Sequence, residues 1–280
     1  MNTIPQKSSE ITPDEIMIVC MARQIKDGDV VAQGIATPMV TAAYLLARHT
    51  HAPNLYFMSA IGQGICREPA PLSITQIEKL WLEKSLTNIG FVRASLEGLP
   101  TLTPKEFFRP AQMNQSGNFN NIAFGKNYRK PRLRLPGTGG IPDVTTYSSN
   151  IYLYVPRHSK ITFVETLDFH SGLVYKPNES QFEGPKFLVT DLGQFDFIQN
   201  KMRLISLHPG ISLKEVQLKT GFNFEVPENL STTQLPTKEE LYYLRQVVDP
   251  LNSRKLEMLR GSKRKELLRR IIIKENAHEK

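Results

Sequence analysis

Residues 12–58 read TPDEIMIVCMARQIKDGDVVAQGIATPMVTAAYLLARHTHAPNLYFM, and their pattern decides the fold. Thr12-Pro13-Asp14-Glu15 has the features of a helix start, with Thr12 as N-cap, Pro13 at the first helical position and Glu15 closing a capping box. Apolar residues at helical spacing continue that helix over residues 16–25. Lys26-Asp27-Gly28-Asp29 is a turn, and Val30-Val31-Ala32 is a short buried strand. Thr37-Pro38 opens a second helix over residues 39–48. Ala52-Pro53-Asn54 breaks it, and Leu55-Tyr56-Phe57-Met58 is the next strand. Strand, helix and strand at this spacing make a βαβ unit and a parallel sheet.

Further along, apolar runs at 151–155, 161–164, 187–189 and 202–206 read as strands, and 213–218 and 238–248 as helices. No internal repeat or low-complexity linker separates them. The organisation expected is a flexible N-terminus over residues 1–11, an α/β domain over 12–252 and a basic helical tail over 253–280.

The chain has 280 residues, of which 40% are hydrophobic and 22% charged, with 17 Gly and 19 Pro. That composition excludes disordered and collagen-like classes. No apolar run approaches the roughly 20 residues of a membrane span, and the start MNTIPQKSSE lacks the pattern of a secretory signal. A cytoplasmic location is therefore expected. Cys20 and Cys66 form no C-x-x-C or Cys/His cluster, so neither a structural metal site nor a disulfide framework is expected. The net charge of +8 is concentrated in residues 253–280, where ten Lys/Arg face four Asp/Glu. The remaining 25 basic and 23 acidic groups nearly cancel, which argues against a nucleic-acid footprint on the main domain.

Gly137-Thr138-Gly139-Gly140 is the most informative local motif. Glycines permit positive φ and close backbone approach, so successive N–H groups can face an anion or a developing oxyanion. The loop lacks the GK[ST] ending of a phosphate-binding Walker loop and the spacing of a dinucleotide fingerprint. Its other reading is a plain turn. Gly62, in the turn after residues 55–58, stands where parallel sheets gather ligands, at the carboxyl end of a strand. Cys66, with Arg67 beside it, is a candidate nucleophile, although one cysteine serves more often as a small buried hydrophobe. His208 is a candidate base, with a turn role favoured. Asp168, His170 and Ser171 are too close in sequence for triad geometry, and no G-x-S-x-G elbow accompanies them.

Several segments together resemble family I CoA-transferase β subunits, of the glutaconate CoA-transferase type. They are Met21 through Val31, then Gly34, Pro38 and Ala52-Pro53, then Ala111 through Asn120 against an A-x-x-x-x-x-G-N-x-N turn. Gly137-Thr138-Gly139-Gly140 with Thr146-Tyr147-Ser148 follows, then Val189 through Gly193, then Thr220-Gly221-Phe222. The second half is similar to the IpdB-type branch of steroid-ring-opening CoA hydrolases, through Phe163-Val164-Glu165, Ser171-Gly172-Leu173, Phe195-Asp196-Phe197 and Ser206 through Gly210. Leu235-Pro236-Thr237 and Val248-Asp249-Pro250 extend it.

The resemblance implies an α/β fold with an open, mainly parallel sheet of the CoA-transferase family I (NagB/RpiA-like) type, here with a basic C-terminal helix. It also implies an α-type partner subunit in a heterodimer or heterotetramer, a coenzyme A thioester as substrate, and no permanently bound cofactor. The loop of Gly137, Thr138, Gly139 and Gly140, with Gly62, would then bind CoA or an oxyanion. Transferases of the family carry a glutamate in an E-S-G turn that forms a glutamyl-CoA thioester. In this sequence that place falls on Ala60, which cannot accept an acyl group. The expectation is hydrolysis or C–C cleavage of an acyl-CoA, with the catalytic carboxylate supplied by the α subunit. Two alternatives stand beside it: a genuine CoA-transferase, and a non-catalytic subunit that shapes its partner's pocket.

Overall fold

The computed structural model describes residues 10–32, 34, 37–59, 63–175 and 184–277. Most of the N-terminal segment and residues 278–280 of the tail lie outside the described residues, as do Ala60 and Gly62. Among the described residues ten strands form the main sheet: β1 (Val30–Ala32), β2 (Tyr56–Ser59), β3 (Gly64–Cys66), β4 (Thr87–Asn88), β5 (Lys105–Phe108), β6 (Ile151–Val155), β7 (Phe187–Thr190), β8 (Gly193–Ile198), β9 (Lys201–Leu207) and β10 (Ser231–Thr232). They lie in the order β10-β9-β8-β7-β6-β5-β1-β2-β3-β4.

The centre of this sheet is parallel, running β2-β1-β5-β6-β7. Antiparallel strands extend it on both sides, β8 and β9 at one end and β3 and β4 at the other. Helices α1 (Pro13–Ala22) and α2 (Pro38–Thr50) cover one face. Of the expected capping box at Thr12 and Glu15, the Glu15 half is made, its carboxylate accepting from the Thr12 N–H at 3.0 Å, while the Thr12 hydroxyl is buried with no hydrogen-bond partner among the described residues. Pleating sends alternate side chains to opposite faces. Val31, Phe57, Phe107, Tyr152 and Tyr154 pack under α1 and α2. Ala32, Met58, Phe108, Ile151 and Leu153 pack in a second core on the other face. That second core takes in Leu99 from a helical run over residues 90–102 and Val144 from α3 (Ile141–Tyr147). Covered on both faces, β6 is buried at all five positions, as a central parallel strand requires.

The run 161–164 is not a strand. Thr162 and Phe163 both donate backbone N–H groups to the Ser159 carbonyl, and a single bridge joins Phe163 to Met113. Its apolar character serves packing: Phe163 is buried and stacks on His158 with ring centroids 3.7 Å apart. Residues 105–108 and 193–198, which read as neither helix nor strand in the sequence, are strands of the main sheet.

The C-terminal segment is built into the body. Arg254 is 1% exposed. Its guanidinium donates to Asp14 at 2.7 Å, Glu15 at 3.1 Å and Asp249 at 2.9 Å. Arg245 adds a second bond to Glu15 at 2.7 Å, and these cations hold the Glu15 carboxyl at about 2 against the opposing effect of burial. Beyond it, helix α4 (Gly261–Ala277) buries Leu267 and Ile271. The Glu275 carboxylate accepts from Ser73, from Thr75 and from the backbone N–H groups of Ile74 and Thr75.

Candidate active site

The carboxyl ends of β1, β2, β5 and β6 form the rim where a parallel α/β sheet binds ligands. Strand β2 ends at Ser59, and Ala60 and Gly62, which follow it in sequence, lie outside the described residues. Gln63 resumes the chain at φ +56°, and β3 runs back along β2. Cys66 on β3 is 1% exposed, and burial pushes its thiol up to about 11. It is protonated at neutral pH and has no nucleophilic thiolate to offer.

The glycine loop lies on the surface ahead of α3. Gly137 has φ +124° and Gly139 φ +54°. A Cβ built at either would meet no atom within 4 Å, so these glycines answer a backbone requirement and not a crowded one. The Thr138 carbonyl accepts from the Ile141 N–H at 3.2 Å, which folds the loop onto the first turn of α3.

His208 is buried between two strand ends. Its Nε2 lies 2.8 Å from the Thr190 carbonyl, which can only accept, so Nε2 carries the proton and Nδ1 accepts from Thr233 at 2.9 Å. Burial lowers it to about 4, and it is a neutral strut. His158 has the same character: both ring nitrogens meet threonine hydroxyls, Thr190 at 3.2 Å and Thr220 at 3.0 Å, and burial lowers it to about 3. Asp168 does not face His170. It accepts from Gln112 at 3.1 Å and from the Gly125 N–H at 2.9 Å, while the Ser171 hydroxyl accepts from the Asn121 N–H. The Asn118 and Asn120 amides lock the turn of residues 111–120, Asn118 by accepting from the N–H groups of Val174 and Tyr175 and Asn120 by donating to Gln112.

The group that sequence reasoning passed over is Glu106. It sits inside β5, in register with Ala32 of β1 on one side and Ile151 of β6 on the other. Its side chain shares the face of Phe108, Ala32 and Met58, because Lys105 and Phe107 turn the other way. A Cβ at Gly34 would lie 3.9 Å from Glu106 Oε1. Glu106 is half-buried, and desolvation pushes its carboxyl up to about 7. Among the described residues its carboxylate has no hydrogen-bond or ion-pair partner. The Tyr147 hydroxyl, at the end of α3, is pushed up to about 12 by burial, then by the nearby Glu106 and Asp143. A sequence signal was present: a glutamate inside a strand flanked on both sides breaks the apolar run such strands carry.

Past the ends of β5 and β6 stand Arg109 and Arg157. Arg109 bonds Glu257 at 2.8 Å. Arg157 has a buried Nη1 with no hydrogen-bond partner, and burial lowers it, then the charges of Arg260 and Arg109. This cluster of cations favours an anion such as a phosphate at the rim. A cleft of about 650 Å³ lined by Gln24, Asp29, Lys105 and Tyr152 opens at the opposite, amino ends of the strands. No group of His, Cys, Asp and Glu that could hold a metal occurs among the described residues, nor does a helix long and apolar enough to cross a membrane.

Residues 15–219 match the family model Coenzyme A transferase. The chain belongs to that family. Among coenzyme A transferase relatives, it is 29% identical to the B-type subunit of the 3-oxoadipate CoA-transferase of Pseudomonas knackmussii, covering 85% of this chain and 93% of that one. It is 28% identical to the cholesterol ring-cleaving hydrolase IpdB subunit of Mycobacterium tuberculosis, over 88% of this chain and 98% of the relative. The crystal structure of the decarboxylase AibA/AibB superposes with a TM-score of 0.77 at 30% identity, covering 88% of this chain and 98% of that one. The family thus carries one fold through three chemistries, so fold alone does not name the reaction.

Proposed function

We propose that this chain is the β-type subunit of a heteromeric enzyme that converts an acyl-CoA thioester by hydrolysis or C–C cleavage. The observation that carries the reading is the alanine at position 60 of a coenzyme A transferase chain. A methyl group forms no acyl-enzyme thioester, so ping-pong CoA transfer through that position is closed. The similarity to a ring-cleaving hydrolase subunit and to a decarboxylase supports the same direction. In this reading the rim loop of Gly137, Thr138, Gly139 and Gly140, with Gly62, receives CoA or an oxyanion, and the arginines at the rim favour its phosphates. An α-type subunit completes the site. Phe91, Val92 and Leu96, exposed along the helical run over residues 90–102, with Leu86 exposed ahead of it, are a fitting surface for it.

The test is co-expression with the α-type subunit, followed by thiol release and mass spectrometry over a panel of acyl-CoA thioesters, with and without acetate. Acetate-independent conversion supports the reading. Transfer of CoA onto acetate by the natural protein would sink it and restore the transferase alternative. Ala60→Glu provides the control, since transfer that appears only in this variant would mean that position 60 limits the chemistry.

A further inference from the structure

We propose, on the reading that this chain processes an acyl-CoA thioester, that Glu106 is the acid–base group of its active site. The placement carries the proposal. Met58 of β2, Ala32 of β1 and Glu106 of β5 stand in one register across three adjacent parallel strands. At the usual strand spacing, Met58 and Glu106 have Cα atoms about 10 Å apart. Glu106 thus stands two strands over from β2, whose last residue, Ser59, precedes in sequence the position that, on this reading, family transferases fill with their carboxylate. In this reading the carboxylate absent at position 60 has a counterpart on β5.

Its surroundings fit that work. Gly34 borders Oε1, and a Cβ there would make an ordinary van der Waals contact with it at 3.9 Å. The carboxylate has no partner among the described residues, although a buried carboxylate retained for structure is paired. The titratable groups around it are the hydroxyls of Tyr147 on α3 and Tyr44 on α2, with Asp143 further out on α3. The Tyr44 hydroxyl is held by the carbonyls of Ala32 and Lys105, at 2.9 and 3.2 Å. No cation stabilises the ionised form, and desolvation leaves the carboxyl near neutrality, where one group can both take and give a proton.

The Glu106 carboxylate takes a proton from water as the water oxygen bonds to the electrophilic carbon of the acyl group. The bond from that carbon to its leaving group breaks, the electron pair goes to the leaving group, and Glu106 returns the proton there. The net change is addition of water across the cleaved bond, and Glu106 ends as it began. No acyl-enzyme forms, which agrees with Ala60.

The experiment uses the complex co-expressed with its α-type subunit, as wild type, Glu106→Gln and Glu106→Asp, on whichever acyl-CoA the wild type converts. Glu106→Gln should lower kcat by roughly 10²–10⁴-fold with KM little changed. Wild-type kcat/KM should rise with pH through about 7, following the carboxyl. That limb should vanish from the residual activity of Glu106→Gln and persist in Glu106→Asp, which keeps part of the rate. A folded Glu106→Gln complex with full activity, or with the acid limb intact, overturns the proposal and leaves the acyl-CoA reading standing. A wild-type complex inert on every thioester overturns both.

Discussion

Replacing Glu106 by glutamine should make the fold more stable, by an amount that grows with pH. A glutamate ionises at about 4.5 when free of its surroundings, whereas burial holds Glu106 at about 7 in the folded chain. The folded state binds this proton more tightly than the unfolded state does. Stability therefore falls as pH rises from about 4.5 through 7, and the loss is complete above that window. The gap of 7 − 4.5 corresponds to roughly 3 kcal/mol at about 1.4 kcal/mol per pH unit. Residual contact with water reduces this to about 2 kcal/mol. Glutamine keeps the shape and cannot ionise, so the variant escapes the penalty. Thermal melts of the two chains should differ by about 4–8 °C near pH 8.5. The same comparison near pH 5.5, where most of the penalty has yet to appear, should give less than half that shift. A variant that melts below the wild type at high pH, or by a margin independent of pH, would refute the picture of an unpaired, desolvated carboxylate. A gain in stability together with a loss of rate is the mark of a group held in place for function.

Four other outcomes follow from the structure. Arg254→Met strands the buried carboxylates of Asp14 and Asp249 and should remove about 3–5 kcal/mol from the fold in urea titration at neutral pH. His208 is lowered to about 4 from 6.5, so its neutral form stabilises the fold above pH 6.5 and that contribution fades between 6.5 and 4. Acid titration of stability should be shallower in His208→Gln over this window. Glu275→Ala removes the acceptor for residues 73–75, and hydrogen exchange should speed up across that segment while the central strands stay protected. Gly137→Ala forces a side chain to φ +124°, which should weaken acyl-CoA binding through a distorted loop while changing thermal stability by only about 1–3 kcal/mol.

The central architecture was legible because its signals are local. Thr12 through Glu15 spells out a cap, and the apolar runs of β1, β2, β6 and β7 sit between clear turn residues. Residues 161–164 misled because an apolar run states burial and not conformation. The turn at Ser159 settled the matter by capturing both N–H groups. Strand β5 was missed because Lys105 and Glu106 interrupt the pattern of a buried strand, and the functional interest of Glu106 comes from that interruption. Its environment depends on Gly34 and Tyr147, which lie 72 and 41 residues away in sequence (106 − 34 and 147 − 106), a distance that no local pattern spans. For Cys66 and His208 the favoured non-catalytic readings agree with their burial, while the partners of His208, the Thr233 hydroxyl and the Thr190 carbonyl, are set by the fold and not by any local pattern.

The ion cluster around Arg254 also sets a timetable for synthesis. Asp14 and Glu15 open the first helix, and the guanidinium that neutralises Asp14 is made 240 residues later. At ordinary elongation rates, roughly 12–48 s separate the two on the ribosome. Throughout that interval the first helix carries acids that must stay hydrated, so its amino end cannot seal against the growing sheet. The body closes only once the C-terminal segment has left the exit tunnel. A nascent chain halted before residue 254 is therefore left open at its amino end, within reach of chaperones and proteases.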